Sequence, residues 1–328
     1  MDIVFSKDPR DFARRDWSGL ATIDPGGTFF HTPQYLKLYW EEFGPENLLL
    51  AFAEEDGAQV GAVAFERFDT TIRFLGGTEV TDYMGPVAAP DAQTTVAKEL
   101  FAALGQLDGW TEADLRGLPE DRAWLELLAE AAGAQGFSTD VTDDKNGVAP
   151  FVSLPGSYDE YLTKLPSKLR HEIKRKARRL ESELGSWHIC LATTETLERD
   201  LDRFVDLHRT SEGPKGVFMH PGMEIFFRRL GEAFLPRGIF NLTFIEVGEH
   251  RKLAGTIGFR HEGRYYLYNS AFDRAVESAA PGMVLVAENI RIAIEGGCSV
   301  FDLLKGDYAY KYRFGAVPRA IKRLVVTR

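Results

Sequence analysis

The chain has 328 residues, with 39 basic against 49 acidic side chains and a formal net charge of −10. That length suits two domains of ordinary size. A composition of 44% hydrophobic, 12% aromatic and 27% charged residues excludes disordered and fibrous classes, and no apolar run is long enough to cross a bilayer, so no membrane insertion is expected. The acidic balance disfavours a surface that coats nucleic acid, although it leaves room for a local basic site. The first ten residues carry acids and no apolar core of signal-peptide length, so a cytoplasmic protein is expected. Cys190 and Cys298 lie far apart and outside any CxxC, which reads as reduced thiols acting as small hydrophobes.

In chain order, Pro33 to Phe43 predicts an aromatic-rich helix behind Thr32, a good N-cap. Leu48 to Ala53 and Gln59 to Phe68 predict a hairpin across Glu54-Glu55-Asp56-Gly57. Ala92 to Leu104 and Glu120 to Ala132 predict helices, with a short strand from Glu112 to Leu115 between them. Thr139 to Pro150, rich in Asp, Asn, Gly and Lys, is the expected linker, and the domain boundary is placed at 145/146.

The second half opens with a helical stretch from Ser157 to Leu184, interrupted near Pro166-Ser167. A strand (187–192) and two helices (195–209 and 223–234) follow. Three consecutive strands (240–247, 253–260 and 265–272) then lead to a helix from Met283 to Ile294, bounded by Pro281-Gly282 and Gly296-Gly297, and to a strand from Val300 to Leu303. Adjacent antiparallel strands followed by a strand–helix–strand crossover predict a mixed sheet in an α/β (α+β) fold. Residues 54–65 also echo 247–259, with Gly61 and Phe65 matching Gly255 and Phe259, which suggests two copies of one fold.

Ser278 to Leu285, the helix behind it and Gly297 to Gly315 resemble the carboxy-terminal half of the GNAT-like acyltransferases grouped with bacterial cellulose-biosynthesis accessory proteins and Fem-type peptidoglycan bridge transferases. Asp82-Tyr83-Met84-Gly85-Pro86 and the basic helix from Lys168 to Arg179 resemble segments of the same group. The resemblance implies two tandem GNAT-like domains, a degenerate one over 1–145 and an acyltransferase one over 146–328. It also implies transfer of an acyl group from an activated donor to an amine acceptor. The expected co-substrate is a coenzyme A thioester, with no tightly bound cofactor. An aminoacyl-tRNA is the alternative donor, less favoured given the −10 charge, and a non-catalytic module for envelope polysaccharide assembly is the third reading.

Candidate residues follow from their chemistry. A helix N-terminus offers unpaired N–H groups and partial positive charge, so Gly282 and Met283 are candidates to cradle the donor's pyrophosphate. The usual glycine-rich loop is replaced here by Ser278-Ala279-Ala280-Pro281. Asp302 and Asp307, at the end of a strand, are candidate bases for the acceptor amine, and Lys305 is placed to neutralise phosphate or a developing oxyanion. The resemblance makes Tyr310 the candidate acid for the departing thiolate. The strand pair from Leu253 to Phe272 would supply a backbone donor and an open edge, with Gly255 and Gly258 allowing close approach. Arg170, Lys174 and Arg178 share one face of the basic helix, opposite Leu169, Ile173, Ala177, Leu180 and Leu184. These three, with Asp82, Tyr83 and Lys311, are the candidate substrate-binding residues. The seven histidines form no metal-spaced motif, and no metal is expected. His208 is expected at a surface or cap, with a place facing the cleft as the alternative.

Overall fold

The computed structural model describes residues 1–44, 47–210 and 217–328. They divide into two compact units, Met1–Ala149 with Arg319–Arg328, and Pro150–Pro318.

The first unit is built on a mixed sheet in the order β1 (Asp2–Ser6), β2 (Leu48–Glu55), β3 (Ala58–Phe68), β4 (Thr71–Phe74), β6 (Glu112–Pro119), β14 (Ala320–Thr327) and β7 (Ser138–Val148), with β5 (Val87–Ala88) against β3. β2 is buried from Leu48 to Ala53, as a strand covered on both faces should be. The β2–β3 turn carries positive φ at Asp56 and Gly57, the pair of left-handed residues that matches the twist of a tight hairpin. β4 and β6 run parallel from Thr71/Glu112 to Arg73/Asp114; the other sheet pairs are antiparallel. Helices α4 (Gln93–Gln106) and α5 (Ala123–Ala134) bury Leu100, Phe101 and Leu128 in the core that also holds Phe65, Ile72 and Leu324. Short helices α1 (Asp11–Arg14) and α2 (Ser18–Ile23) precede α3 (Pro33–Phe43), which starts where Thr32 Oγ1 accepts the Tyr35 N–H.

Two features differ from the sequence reading. The expected linker is strand β7, whose residues are mostly exposed. An edge strand has one neighbour and little buried surface, so its polar sequence resembles a loop. The chain also returns after the second unit: β14 alternates buried Ile321, Leu324 and Val326 between β6 and β7. The boundary at 145/146 therefore falls inside β7, and the last ten residues rejoin the first unit.

The second unit has the sheet order β8 (Phe151–Ser153), β13 (Val300–Asp302), β12 (Arg264–Phe272), β11 (Arg251–His261), β10 (Phe240–Val247), β9 (Trp187–Leu191). β12 and β13 are parallel and the rest antiparallel, as the strand–helix–strand pattern predicts. The predicted interruption near Pro166 separates α6 (Tyr158–Lys164) from α7 (Ser167–Leu184). α8 (Leu197–Arg209), α9 (Pro221–Phe234) and α10 (Pro281–Glu295) complete the unit. Ile245 and Ala254 share a cluster with Leu180 of α7 and Leu285 of α10. A Cβ on Gly255 would instead meet Phe244 and Phe204 of α8. Alternation along β10 and β11 thus presents one face to α7 and α10 and the other to α8. The two hairpins of the sequence echo each bulge just past the turn, at Val60 in β3 and Leu253 in β11, where one residue is skipped in the register.

Candidate active site

The site begins where parallel strands part. β12 and β13 are paired from Arg264/Val300 to Tyr266/Asp302; β13 stops there, while β12 runs on to Phe272. Beyond Tyr266 no strand among the described residues lies beside the β12 edge that faced β13. On the opposite edge the register with β11 shifts, Gly258 pairing Leu267 and Ile257 pairing Asn269, so Tyr268 is an extra, bulged residue. A bulge re-aims the backbone and ends regular pairing, and the carboxyl ends of parallel strands are where α/β sheets take ligands.

The chain leaving β12 enters α10 through Ala280, held at φ 56 before Pro281. The N–H groups of Met283 and Val284 both donate to Ala280 O, at 3.1 and 3.3 Å. Proline has no N–H, so Gly282 supplies the helix's first outward donor. A Cβ on Gly282 would lie 3.3 Å from the Phe272 ring, so the helix start packs closely on the end of β12. Below it, Tyr265 stacks on Phe301 at 5.1 Å and 4° and donates to Asn289 Oδ1 at 3.3 Å, while Asn289 Nδ2 donates to Thr256 at 2.8 Å. This buried chain ties α10 to β11, β12 and, through the stack, to β13. Burial pushes the Tyr265 phenol upward, so it stays protonated as a donor.

After β13 the segment from Asp302 to Gly315 folds on itself. Asp302 is fully buried and its Oδ1 accepts the Leu304 N–H at 2.9 Å, with Leu304 at φ 59. Lys311, buried and expected to bind substrate, instead donates its ammonium to the carbonyls of Leu304 and Lys305 at 2.7 and 2.9 Å. Tyr308 and Tyr310 stack at 6.3 Å, and the Lys311 ammonium lies 5.5 Å from the Tyr308 ring centre. Desolvation pushes the Tyr310 phenol up to about 12, with a smaller push from Tyr308, although its ring keeps an exposed side. Tyr312 donates to exposed Asp307 at 2.5 Å, and that bond raises the Tyr312 phenol. Asp302, Lys305, Asp307, Tyr310 and Lys311 are thus gathered in one folded segment.

α7 lies beside this segment, with Arg313 pairing Glu172 at 3.3 Å. It buries Ile173 and Leu180, leaves Lys174 and Arg178 exposed and Arg170 half-buried, and Arg178 bonds back to the Lys174 carbonyl. Gly258 does not open space for a ligand: a Cβ there would sit 2.5 Å from the Tyr265 hydroxyl. His208 is fully buried between the rings of Phe204 and Phe218, not at a surface, because the α8 stripe that carries Phe204 and Val205 also carries it inward. Asp82 and Tyr83 belong to the first unit. Tyr83 is buried and its hydroxyl accepts Arg319 at 3.1 Å. Sequence reasoning missed Tyr268, since register is invisible in one strand alone. It also missed Asn289, whose signal is a polar residue on an otherwise apolar helix stripe.

Residues 167–312 match the family model for an acetyltransferase (GNAT) domain. The fold resembles FemX with a TM-score of 0.69 at 9% identity, over 99% of this chain and 97% of that one. It also resembles L-PGS from Bacillus licheniformis, with a TM-score of 0.56 at 14% identity over 91% and 92% of the chains. An acetyltransferase of the GNAT family from Colwellia psychrerythraea aligns over the full length of both chains, with a TM-score of 0.51 and 12% identity. Among curated protein sequences nothing matches. The two mixed sheets and these likenesses make the fold tandem GNAT-like, and the match over 167–312 supports acyl transfer in general. Among the described residues no helix is long and apolar enough to cross a membrane.

Proposed function

We propose that the second unit is an N-acyltransferase that uses a coenzyme A thioester and an amine acceptor. The observation that carries this reading is the parting of β12 from β13 after Tyr266/Asp302, opposite the bulge at Tyr268, inside the stretch that matches the GNAT model. The β12 edge beyond Tyr266, beside which no strand lies among the described residues, offers backbone groups to an amide-bearing arm, and the Gly282 N–H with the α10 dipole suits a pyrophosphate. Lys305 is assigned to donor phosphate or to the oxyanion.

The amine attacks the thioester carbonyl directly, so a C–N bond forms, the C–S bond breaks and no covalent enzyme is needed. Asp302 is assigned as the base that takes the ammonium proton, with Asp307 as the alternative. Tyr310 is assigned as the acid that gives its proton to the thiolate. Arg170, Lys174 and Arg178 are assigned to anionic parts of a substrate. A donor of the aminoacyl-tRNA class is the second reading, favoured by the likeness to FemX over nearly the whole chain and by the basic stripe of α7. The third reading, a non-catalytic module for envelope polysaccharide assembly, rests on the sequence resemblance alone.

Titration of the chain with coenzyme A, acetyl-CoA and long-chain acyl-CoAs, read as a rise in melting temperature, tests the donor, since a ligand of the folded state stabilises by mass action. A saturable rise followed by thiol release with a panel of amines supports the reading. Absence of any rise overturns it.

A further inference from the structure

The first unit holds a cavity of about 290 Å³, room for about ten waters at roughly 30 Å³ each. It lies outside residues 167–312 and is lined in part by Glu66, Arg73, Thr78, Met84, Asp114 and Arg116. Its place in the sheet is informative. The parallel pair β4–β6 ends at Arg73/Asp114, as β12–β13 ends at Tyr266/Asp302, so the cavity stands at the carboxyl end of the first unit's own parallel pair. Asp114 closes that pair as Asp302 closes the other.

The charges of the lining sort into two sets. Asp114 accepts three bonds from Arg116 at 2.9 to 3.1 Å and one from Arg323 at 2.6 Å, and Asp144 lies 3.8 Å from Arg116. Two carboxylates and two guanidiniums there neutralise one another. Glu66 and Arg73 remain. They are cross-strand partners on β3 and β4, yet among the described residues neither side chain has a hydrogen bond or an ion pair within 4 Å; the Arg73 guanidinium rests 5.6 Å from the Phe68 ring centre. One uncommitted acid and one uncommitted base face a neutral remainder. A phosphate ester would bring several negative charges to one free guanidinium beside an acid, whereas a molecule with one ammonium and one carboxylate matches both groups.

We propose that this cavity binds a small zwitterion of the amino-acid or short-peptide class, its ammonium held by Glu66 and its carboxylate by Arg73. Burial holds the Glu66 carboxyl above its ordinary range despite Arg73, and an ammonium beside it would reverse that. Gly77 in the lining is packed against α3: it stands at φ +66, and a Cβ there would come 2.5 Å from the Tyr39 hydroxyl. Thr78 and Met84 supply one polar and one apolar wall. The site is independent of the acyl-transfer reading of the second unit.

Calorimetric titration of the full chain with glycine, L-alanine, L-lysine and glycylglycine tests it, with methylamine and acetate as singly charged controls and acetyl-CoA as a control for the second unit. The expected result is saturable binding of at least one zwitterion, weakened about tenfold or more by Glu66→Gln and by Arg73→Gln, with acetyl-CoA behaviour unchanged. Arg73 is exposed, so Arg73→Gln keeps the test open if Glu66→Gln does not fold. No binding of any zwitterion at millimolar concentration, equal binding of methylamine or acetate, or full affinity in the folded variants would overturn the proposal.

Discussion

Tyr266 and Asp302 form the last rung of the parallel pair β12–β13, and the Asp302 carboxylate is buried against the Leu304 N–H. Asn in its place keeps an acceptor for that N–H but takes no proton. Asp302→Asn is expected to lower kcat by on the order of 10² to 10⁴-fold, with donor affinity and melting temperature nearly unchanged. Asp307→Asn, at an exposed carboxylate, is expected to do much less. Rates under saturating donor, with parallel melts, decide between them; a normal rate for Asp302→Asn moves the base elsewhere.

Lys311 secures the same segment from the other side. Lys311→Met removes two charge-assisted bonds to the Leu304 and Lys305 carbonyls and leaves the Leu304 acceptor buried and the Lys305 one part-buried, so a loss of roughly 2 to 3 kcal/mol in urea unfolding is expected. Lys305→Ala should change stability by less than about 0.5 kcal/mol and act instead on donor KM or kcat. The opposite ordering would contradict the structural part assigned to Lys311.

Tyr310 carries a phenol raised to about 12 by desolvation. A raised value keeps the acid form intact, so the pH–rate profile should show no fall from this group below about pH 11. The sign for stability is separate: the folded state holds the proton more tightly than the unfolded chain. This contribution is complete below about pH 10 and declines as pH rises toward 12. Tyr310→Phe is expected to lower kcat and flatten that decline, measured by rates and by alkaline melts.

Replacing Arg170, Lys174 and Arg178 together by Gln is expected to weaken binding of acyl-CoA or tRNA at low salt, with a reduced salt slope, and to leave the melting temperature within about 2 °C, since charges that are exposed or only half-buried contribute little to folding. Unchanged affinity for both at low ionic strength would make the stripe a solvated face alone.

Glu66 gives an effect opposite to most substitutions. Its folded pKa is raised, so its contribution to stability is full below the unfolded value and is lost as pH rises through the folded one. Glu66→Gln is therefore expected to be more stable than the parent at neutral pH and equal to it in acid. Melts across pH 3 to 8 would show a difference that grows with pH; a constant difference would place the cause elsewhere.

Helices and strands with strong periodicity are legible in the amino-acid sequence alone. α3 spans Pro33–Phe43 behind Thr32, as the sequence places it, and the α7 stripe of Ile173 and Leu180 is the buried one. The helix before β13 and the mixed order of the second sheet follow from Pro281, from the glycines after Glu295 and from crossover geometry. What escapes is pairing. β7 reads as a linker because an edge strand needs few apolar residues, and β14 goes unnoticed although Ile321, Leu324 and Val326 mark one face. At the site, sequence proximity gathers Asp302 to Lys311 correctly but cannot say that the Lys311 amine turns inward to carbonyls, nor that Tyr265 fills the space over Gly258. Those depend on which side of a turn a chain leaves, and the left-handed residue Leu304 decides that without a glycine to announce it.

Because β14 lies between β6 and β7, the first sheet has a gap in it until residues 320–327 have left the ribosome. The second unit, by contrast, has all of its strands once Asp302 has emerged. The half made later can thus finish first, while β6 and β7 wait with unpaired backbone edges for a strand separated from them by the whole of the second unit. A chain whose Asp302 has cleared the ribosome while Ala320 has not would hold the paired sheet of the second unit and an open first one, a state in which a chaperone would find its substrate at the amino end of the chain.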